Sequence, residues 1–359
     1  MPVRRLIACE FAGAPASRAA GNRGGESTAG FTLVELLTVL SIMAILLGIS
    51  IGVFTRSTPT YELARNEILD KVRRARLHAT AESSPASVIL RPGDDARWPT
   101  ISALGRTTVG MWHLEGANLS GFGGNVRGEG VEEDAQGVLG RAVRLAAGVP
   151  SSLQVGPAGS LESPHGFACE FFVKLDTDAP RTLVRKGDMC QLAVDSDGVL
   201  RASVELVEPT TVAGLRPGLV DVAVATDMPV LFPGRWVELG VSFDGLALRI
   251  QVDGATVAER TMQAFHDLSL DPKAPIAIGD RDSAFAGSVD EWKWGVYLEE
   301  TSEEMVDMEV PAGRGPTLIR FAPGGELDGR FHSAPVELLL FNLEGEPLVV
   351  RVGLLGDVN

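Results

Sequence analysis

Gly30-Phe31-Thr32-Leu33-Val34-Glu35 opens an apolar run that continues to Phe54, and Glu35 is the only charged residue among the 24 residues from Phe31 to Phe54. At about 1.5 Å of rise per residue, that run is about 36 Å long as a helix, enough to cross a bilayer core of about 30 Å. A lone carboxylate there costs on the order of 3 kcal/mol near the membrane centre and less toward an end. Glu35 therefore needs a partner or a purpose. A single-pass anchor with an incidental glutamate supplies neither. A cleaved secretory signal fits poorly, because its apolar region spans only about 7–15 residues, and Ser50 to Pro59 offers no small-x-small cleavage site.

The stretch Gly30 to Leu47, G-F-T-L-V-E-L-L-T-V-L-S-I-M-A-I-L-L, closely resembles the prepilin motif of type IV pilins and type II secretion pseudopilins. The resemblance implies cleavage by prepilin peptidase between Gly30 and Phe31, N-methylation of Phe31, and a charge pair between Glu35 and the Phe31 amine of a neighbouring subunit. Its implied partners are the peptidase, other pilin or pseudopilin subunits and inner-membrane lipid. Residues 1–30 would be a cytoplasmic leader, longer than is usual in the family, so either the leader is extended or the start codon is misassigned. Arg4, Arg5, Arg18 and Arg23 precede the run and only Arg56 follows it closely, which fits a cytoplasmic N-terminus. The remainder would lie in the periplasm of a bacterium, at the inner membrane or in a filament.

The formal net charge is −15, and the leader, with four arginines against Glu10 and Glu26, leaves the mature chain more acidic still. Such a balance excludes nucleic acid as the expected partner, because phosphate must be neutralised by basic patches. Cys9 lies in the leader, leaving Cys169 and Cys190 for an oxidising periplasm. Alternation places both thiols on inward faces. They read either as a disulfide or as two buried free thiols, since spacing cannot establish the geometry of a bridge.

Past Thr58-Pro59, the residues Tyr61, Ala64, Ile68, Val72, Ala75 and Ala79 recur at steps of three or four and form one apolar helical face. Ser83-Ser84-Pro85 ends that helix. Short strands follow. In Trp236 to Gly254, Asp244-Gly245 separates two alternating runs, predicting a two-residue hairpin that pairs Phe243 with Leu246, Val241 with Leu248, Leu239 with Ile250 and Val237 with Val252. Glu238, Gly240, Ser242, Ala247, Arg249 and Gln251 would form a largely wet opposite face.

Between residues 110 and 298, the blocks M-W-H-L-E-G, G-R-A-V-R-L, F-A-C-E-F-F-V-K, T-L-V-R-K-G-D, P-G-R-W-V-E-L-G-V-S-F-D-G and F-A-G-S-V-D-E-W-K-W occur in the order seen in laminin-G-like domains. The resemblance implies a jelly-roll sandwich of the concanavalin A-like class that binds carbohydrate or protein, in some relatives with calcium. Asp290 reads as a strand-end carboxylate, with a calcium (Ca2+) ligand as the metal-binding alternative; calcium needs several convergent oxygens. No other cofactor is implied.

Ile319 to Leu327, V-E-L-L-L-F-N and L-V-V-R-V-G-L-L-G-D-V resemble the ending of minor pseudopilins, in which these strands join one near Ser87 to Arg91 in a small sheet. The expected fold class is therefore α+β, mainly β. It comprises a leader (1–30), a pilin-type helix (31–83, with 31–54 transmembrane), a small antiparallel pseudopilin-like sheet (84–107 and 299–359) and the sandwich (108–298). The sandwich would be an insertion, the alternative being a simple row of domains.

Enzyme activity is not expected. H-E-x-x-H, G-x-S-x-G, G-x-G-x-x-G and phosphate-loop motifs are absent from the sequence, and the five histidines lack ligand spacing. The carboxylates Glu304, Asp307 and Glu309 fall in an expected linker. The chain reads as a filament subunit displaying a binding sandwich, the rival being a membrane-tethered carbohydrate-binding protein or glycosidase that uses the pilin segment only for export.

Overall fold

The computed structural model describes residues 33–54, 60–93, 97–116, 118–134, 136–146, 150–156, 161–177, 181–208, 218–279, 286–311 and 316–358. The chain divides into two compact units, Met1–Ser57 and Thr58–Asn359.

In the first unit, helix α1 spans Leu33–Phe54. Its described large side chains, among them Leu33, Val34, Leu37 and Ile45, are exposed. The Thr38 hydroxyl donates to the Val34 carbonyl at 2.7 Å, which satisfies a polar group without leaving an apolar surface. Among the described residues, no helix is long and apolar enough to cross a membrane; described side chains on α1 cover only Leu33, Val34 and 36–45.

The second unit is mainly β, with helix α2 (Thr60–Ala81) against it. Ala64, Ile68, Val72, Ala75 and Ala79 are buried, and Tyr61 packs partly against the same cluster, as the spacing predicts. The small Ala75 and Ala79 let the helix approach the sheet closely. The helix stops where Ser83 adopts φ +45° and the Ser84 amide donates back to the Ala79 carbonyl, a left-handed C-terminal cap.

Two large sheets, of eleven and eight strands, contribute residues to one apolar core that holds Trp112, Trp292, Trp294, Phe167, Phe171 and Phe243. The eleven-stranded sheet also does what the sequence reading assigned to a separate domain. Strand Ala86–Arg91 pairs with Thr317–Phe321 on one side and with the long strand Thr100–Glu115 on the other. Thr100–Glu115 in turn pairs with Gly287–Thr301 from Trp292↔Trp112 to Thr301↔Ser102, through one bulge. The expected boundaries between base and sandwich, after residue 107 and after residue 298, thus fall inside two continuous strands.

The single small sheet expected for the base is corrected as well. Val336–Asn342 and Pro347–Val352 pair with each other and with Met308–Glu309 in a separate three-stranded sheet. That sheet, α2 and the Ala86–Arg91 region enclose a second apolar core.

The hairpin keeps the predicted face and loses the predicted register. Strands Trp236–Phe243 and Ala247–Val252 pair Phe243 with Leu248, Val241 with Ile250 and Leu239 with Val252. The turn moves along because Asp244 Oδ1 accepts from the amides of Leu246 and Ala247 while Gly245 takes φ +82°. The face expected to be wet is also partly covered, since Ser242, Ala247 and Arg249 are buried.

Candidate functional site

The motif residues Gly30 and Phe31 lie outside the described residues, and Glu35 falls within α1. Of the other sequence-derived candidates, Cys169 and Cys190 are free, buried thiols. Cys169 belongs to the eleven-stranded sheet and Cys190 to the eight-stranded one, both in the shared core, and they stand there as two free thiols in place of the disulfide alternative. Burial raises both pKa values, that of Cys190 to about 12, which keeps them as inert thiols.

Asp290 is fully buried. Its Oδ2 accepts from the amides of Val138 (2.8 Å) and Leu139 (3.1 Å), and its Oδ1 from that of Glu291 (3.0 Å). Oδ2 thus holds the 138–139 loop to the central strand, while Oδ1 accepts from the next residue of that strand. Among the described residues, no group of three or more His, Cys, Asp or Glu side chains is placed to hold a metal ion. Beside it, Glu291 sits at φ +49° with both carboxylate oxygens 2.9 Å from His113 Nδ1, and this pairing raises the His113 pKa.

Two charged assemblies lie where the base meets the sandwich, and the sequence reading named neither. The first is a closed ring of alternating sign: Asp244, Arg249, Glu259, Arg330, Asp328 and Arg320. Arg249 bonds Asp244 and, at 2.6 Å, Glu259; Arg330 bonds Glu259 and, at 2.7 Å, Asp328; Arg320 bonds Asp328 at 3.2 Å and Asp244 at 2.5 Å. Asp244, Arg249, Arg320 and Asp328 are buried. Burial alone would raise the Asp244 pKa, yet Arg249 and Arg320 hold it well below the usual carboxylate range. Arg320 also covers the Phe331 ring, 4.8 Å from its centroid. One signal was available in sequence: Arg320 interrupts the otherwise apolar Leu318-Ile319-Arg320-Phe321.

The second assembly centres on His165. Its Nδ1 lies 3.0 Å from Asp267 and its Nε2 3.0 Å from Glu299, and Glu299 also accepts from Arg91 and Ser102. Burial opposes protonation of His165, but the two carboxylates outweigh it and raise its pKa to about 9. Burial likewise opposes ionisation of Glu299, whose donors hold it at about 2.

Above the ring, a cleft of about 780 Å³ separates the outer face of the eleven-stranded sheet from the end of α2 and the Pro323–Arg330 segment. Its floor follows from the register. Gln251, Gly240, Glu170, Lys293 and Met111 form one row across five strands. Arg106 bonds Glu170, while the lining residues Glu238 and Lys293 are half-buried. The sequence reading placed Glu238, Gly240 and Gln251 on one outward face, and the structure brings them to this cleft.

Residues 27–51 match the prokaryotic N-terminal methylation motif, so the chain carries a type IV pilin-like N-terminus. No curated protein matches the chain. Among solved structures, it is similar to the binding domain of Paraclostridial mosquitocidal protein 1, at 13% identity and TM-score 0.40, over 52% of this chain and 48% of that one. It is similar to domain 4 of AbnA, a GH43 extracellular arabinanase from Geobacillus stearothermophilus in complex with arabinotriose, at 20% identity and TM-score 0.37, over 54% and 95%. A third is the receptor-binding domain of botulinum neurotoxin mosaic serotype C/D, at 9% identity and TM-score 0.38, over 52% and 47%. The chain thus spans about half the length of the first and third of these. It joins a pilin-type N-terminal motif to a mainly β body whose outer sheet face holds a polar cleft.

Proposed function

We propose that this chain is a pseudopilin-like subunit of a type II secretion or type IV pilus-like filament, carrying a ligand-binding sandwich into the bacterial periplasm. Prepilin peptidase cuts between Gly30 and Phe31, Phe31 is N-methylated, and the apolar run Phe31–Phe54 sits in the inner membrane. Glu35 then receives the Phe31 amine of a neighbouring subunit, and each charge removes the other's cost in lipid. The observation that carries this reading is the position of Glu35, five residues after Gly30, within a segment that matches the methylation motif.

Helix α2, with its apolar stripe on the base sheet, supports the same reading, since such a stripe fixes a filament helix to its globular body. The work of the chain is assembly and recognition, not catalysis.

The test is Glu35→Ala in cells, following processing and filament incorporation separately. Cleavage should persist while incorporation is lost. If the variant is cleaved and enters filaments at the wild-type level, or if the chain never enters filaments while its surface binding persists, the segment is an export tether and the subunit role fails.

A further inference from the structure

We propose that an acidic-rimmed apolar groove beside the start of α2 receives the basic, leucine-bearing last turns of α2 from a second copy of this chain. This rests on the reading of the chain as a membrane-held subunit only in so far as copies stand side by side in one membrane.

The groove, of about 550 Å³, runs between the first turns of α2 and residues 301–307. Leu63, 59% exposed, and Val306, 54% exposed, give it apolar walls left in water. Its rim carries Glu303, Glu304 and Asp307, all exposed, and none of the three has a cationic partner among the described residues. The wall is held in place: the amides of Ser302 and Met305 donate to the Ile101 and Pro99 carbonyls at 2.8 and 3.0 Å, and Met305 is buried beneath it.

Further along α2 the charge reverses. Arg73 is exposed and has no carboxylate partner among the described residues, and Arg76 bonds the Gly356 carbonyl at 3.1 Å. Leu77 is 66% exposed on the same turns, and Leu355, next to Gly356, is 77% exposed. Arg74, by contrast, is already bonded to Asp70 and Glu300. A leucine beside two guanidinium groups complements an apolar groove under three carboxylates, so each side supplies what the other leaves unpaired. The centres of the two patches are about ten residues apart on α2, about 15 Å along its axis, so they cannot meet within one copy. Copies that share one orientation must be displaced along α2 to bring them together, and each then keeps one patch of either kind open for the next. Such a contact is heterologous and does not close on itself. Confinement in one membrane raises the effective concentration, so a small contact suffices.

The experiment is cross-linking of the full chain in cells with a short bismaleimide, which spares the buried Cys169 and Cys190. Leu77→Cys and Val306→Cys are placed in one chain, and each is also made alone. The double variant should give a ladder of dimers, trimers and higher species, each single variant should stay monomeric, and the two single variants expressed together should give dimers and no more. Adding Arg73→Glu to the double variant should cut the ladder about tenfold, because like charges then face each other, and Glu304→Arg in the same chain should restore it.

The proposal is overturned if the double variant gives no ladder, if Leu77→Cys alone joins to itself as readily, or if the ladder is indifferent to Arg73→Glu. Val306→Cys joined to a different protein gives the groove another occupant and overturns it too. The filament fraction of the same cells separates the two readings. A chain that enters filaments without a ladder sinks the docking and spares the subunit role; a ladder in membranes from a chain that never enters filaments does the reverse.

Discussion

The two apolar cores of the second unit are built in contrasting ways, and the seam between them is built differently again. The sandwich core is a wide layer of aromatic and branched side chains from two sheets. The base core is smaller and uses alanines on one helix to bring α2 down onto strands. Where they meet, the contact is ionic: the Asp244 ring and the His165 clamp. Apolar contact is tolerant of position, whereas a ring of charges with fixed bond directions is not. The difference teaches that the cores supply the bulk of the stability and the seam fixes how one sits on the other. Two uninterrupted strands run through that seam, so the sandwich is a rigid extension of the base.

The largest expected effect comes from breaking the ring on one side. Arg320→Met leaves Asp244 and Asp328 without the cation between them, and should cost about 3–5 kcal/mol, because a buried charge is stranded. Denaturant unfolding of the detergent-solubilised chain measures it. The double change Asp244→Leu with Arg320→Met should recover much of that loss, since a matched apolar pair is a tolerable replacement for a buried ion pair. If the double variant is as unstable as the sum of the singles, the ring is not the coupled unit described.

Ile68→Ala, at a fully buried position of α2, should cost about 2–5 kcal/mol through the cavity it leaves. Its sharper use is the shape of the transition. One cooperative unfolding event for the second unit is expected, and a base that melts ahead of the sandwich would break the picture of a rigid extension.

A smaller effect depends on pH. The pKa of His165 rises from 6.5 to about 9 on folding, so its clamp stabilises fully below about pH 6.5 and loses that contribution as pH rises through about 9. His165→Gln should therefore flatten the stability profile between those values and leave acid unfolding to the carboxylates. A wild-type profile already flat from pH 6.5 to 9 would remove the clamp from the account. The smallest effect belongs to Arg351→Ala, whose 3.9 Å contact with Glu337 is exposed on both sides; its change in stability should stay within about 0.5 kcal/mol.

Sequence alone carried some of this well. The stripe from Ala64 to Ala79 is legible because helical spacing is local. The hairpin's faces are legible for the same reason, since alternation survives a shift of the turn. Its register was not, because Asp244 caps the amides of Leu246 and Ala247 and so lengthens the turn, a contact that alternation does not reveal. The continuity of the sheet was hidden likewise: pairs such as Thr301↔Ser102 are written nowhere near one another. Trp236, at the start of that hairpin, lies half-buried with the Lys174 ammonium 4.9 Å from its ring centroid, a contact with a residue far off in sequence. The cleft was half legible, as a set of outward residues with no sign of what would face them.

All of this concerns what the body is, whereas the proposed role rests on the methylation motif at residues 27–51 and the position of Glu35 within it. Mass spectrometry of the N-terminus of the chain purified from its membrane tests that role most directly. The account predicts a mature protein that begins at Phe31 with one methyl group on its amine. A chain that keeps the leader, or begins at any other residue, would contradict it.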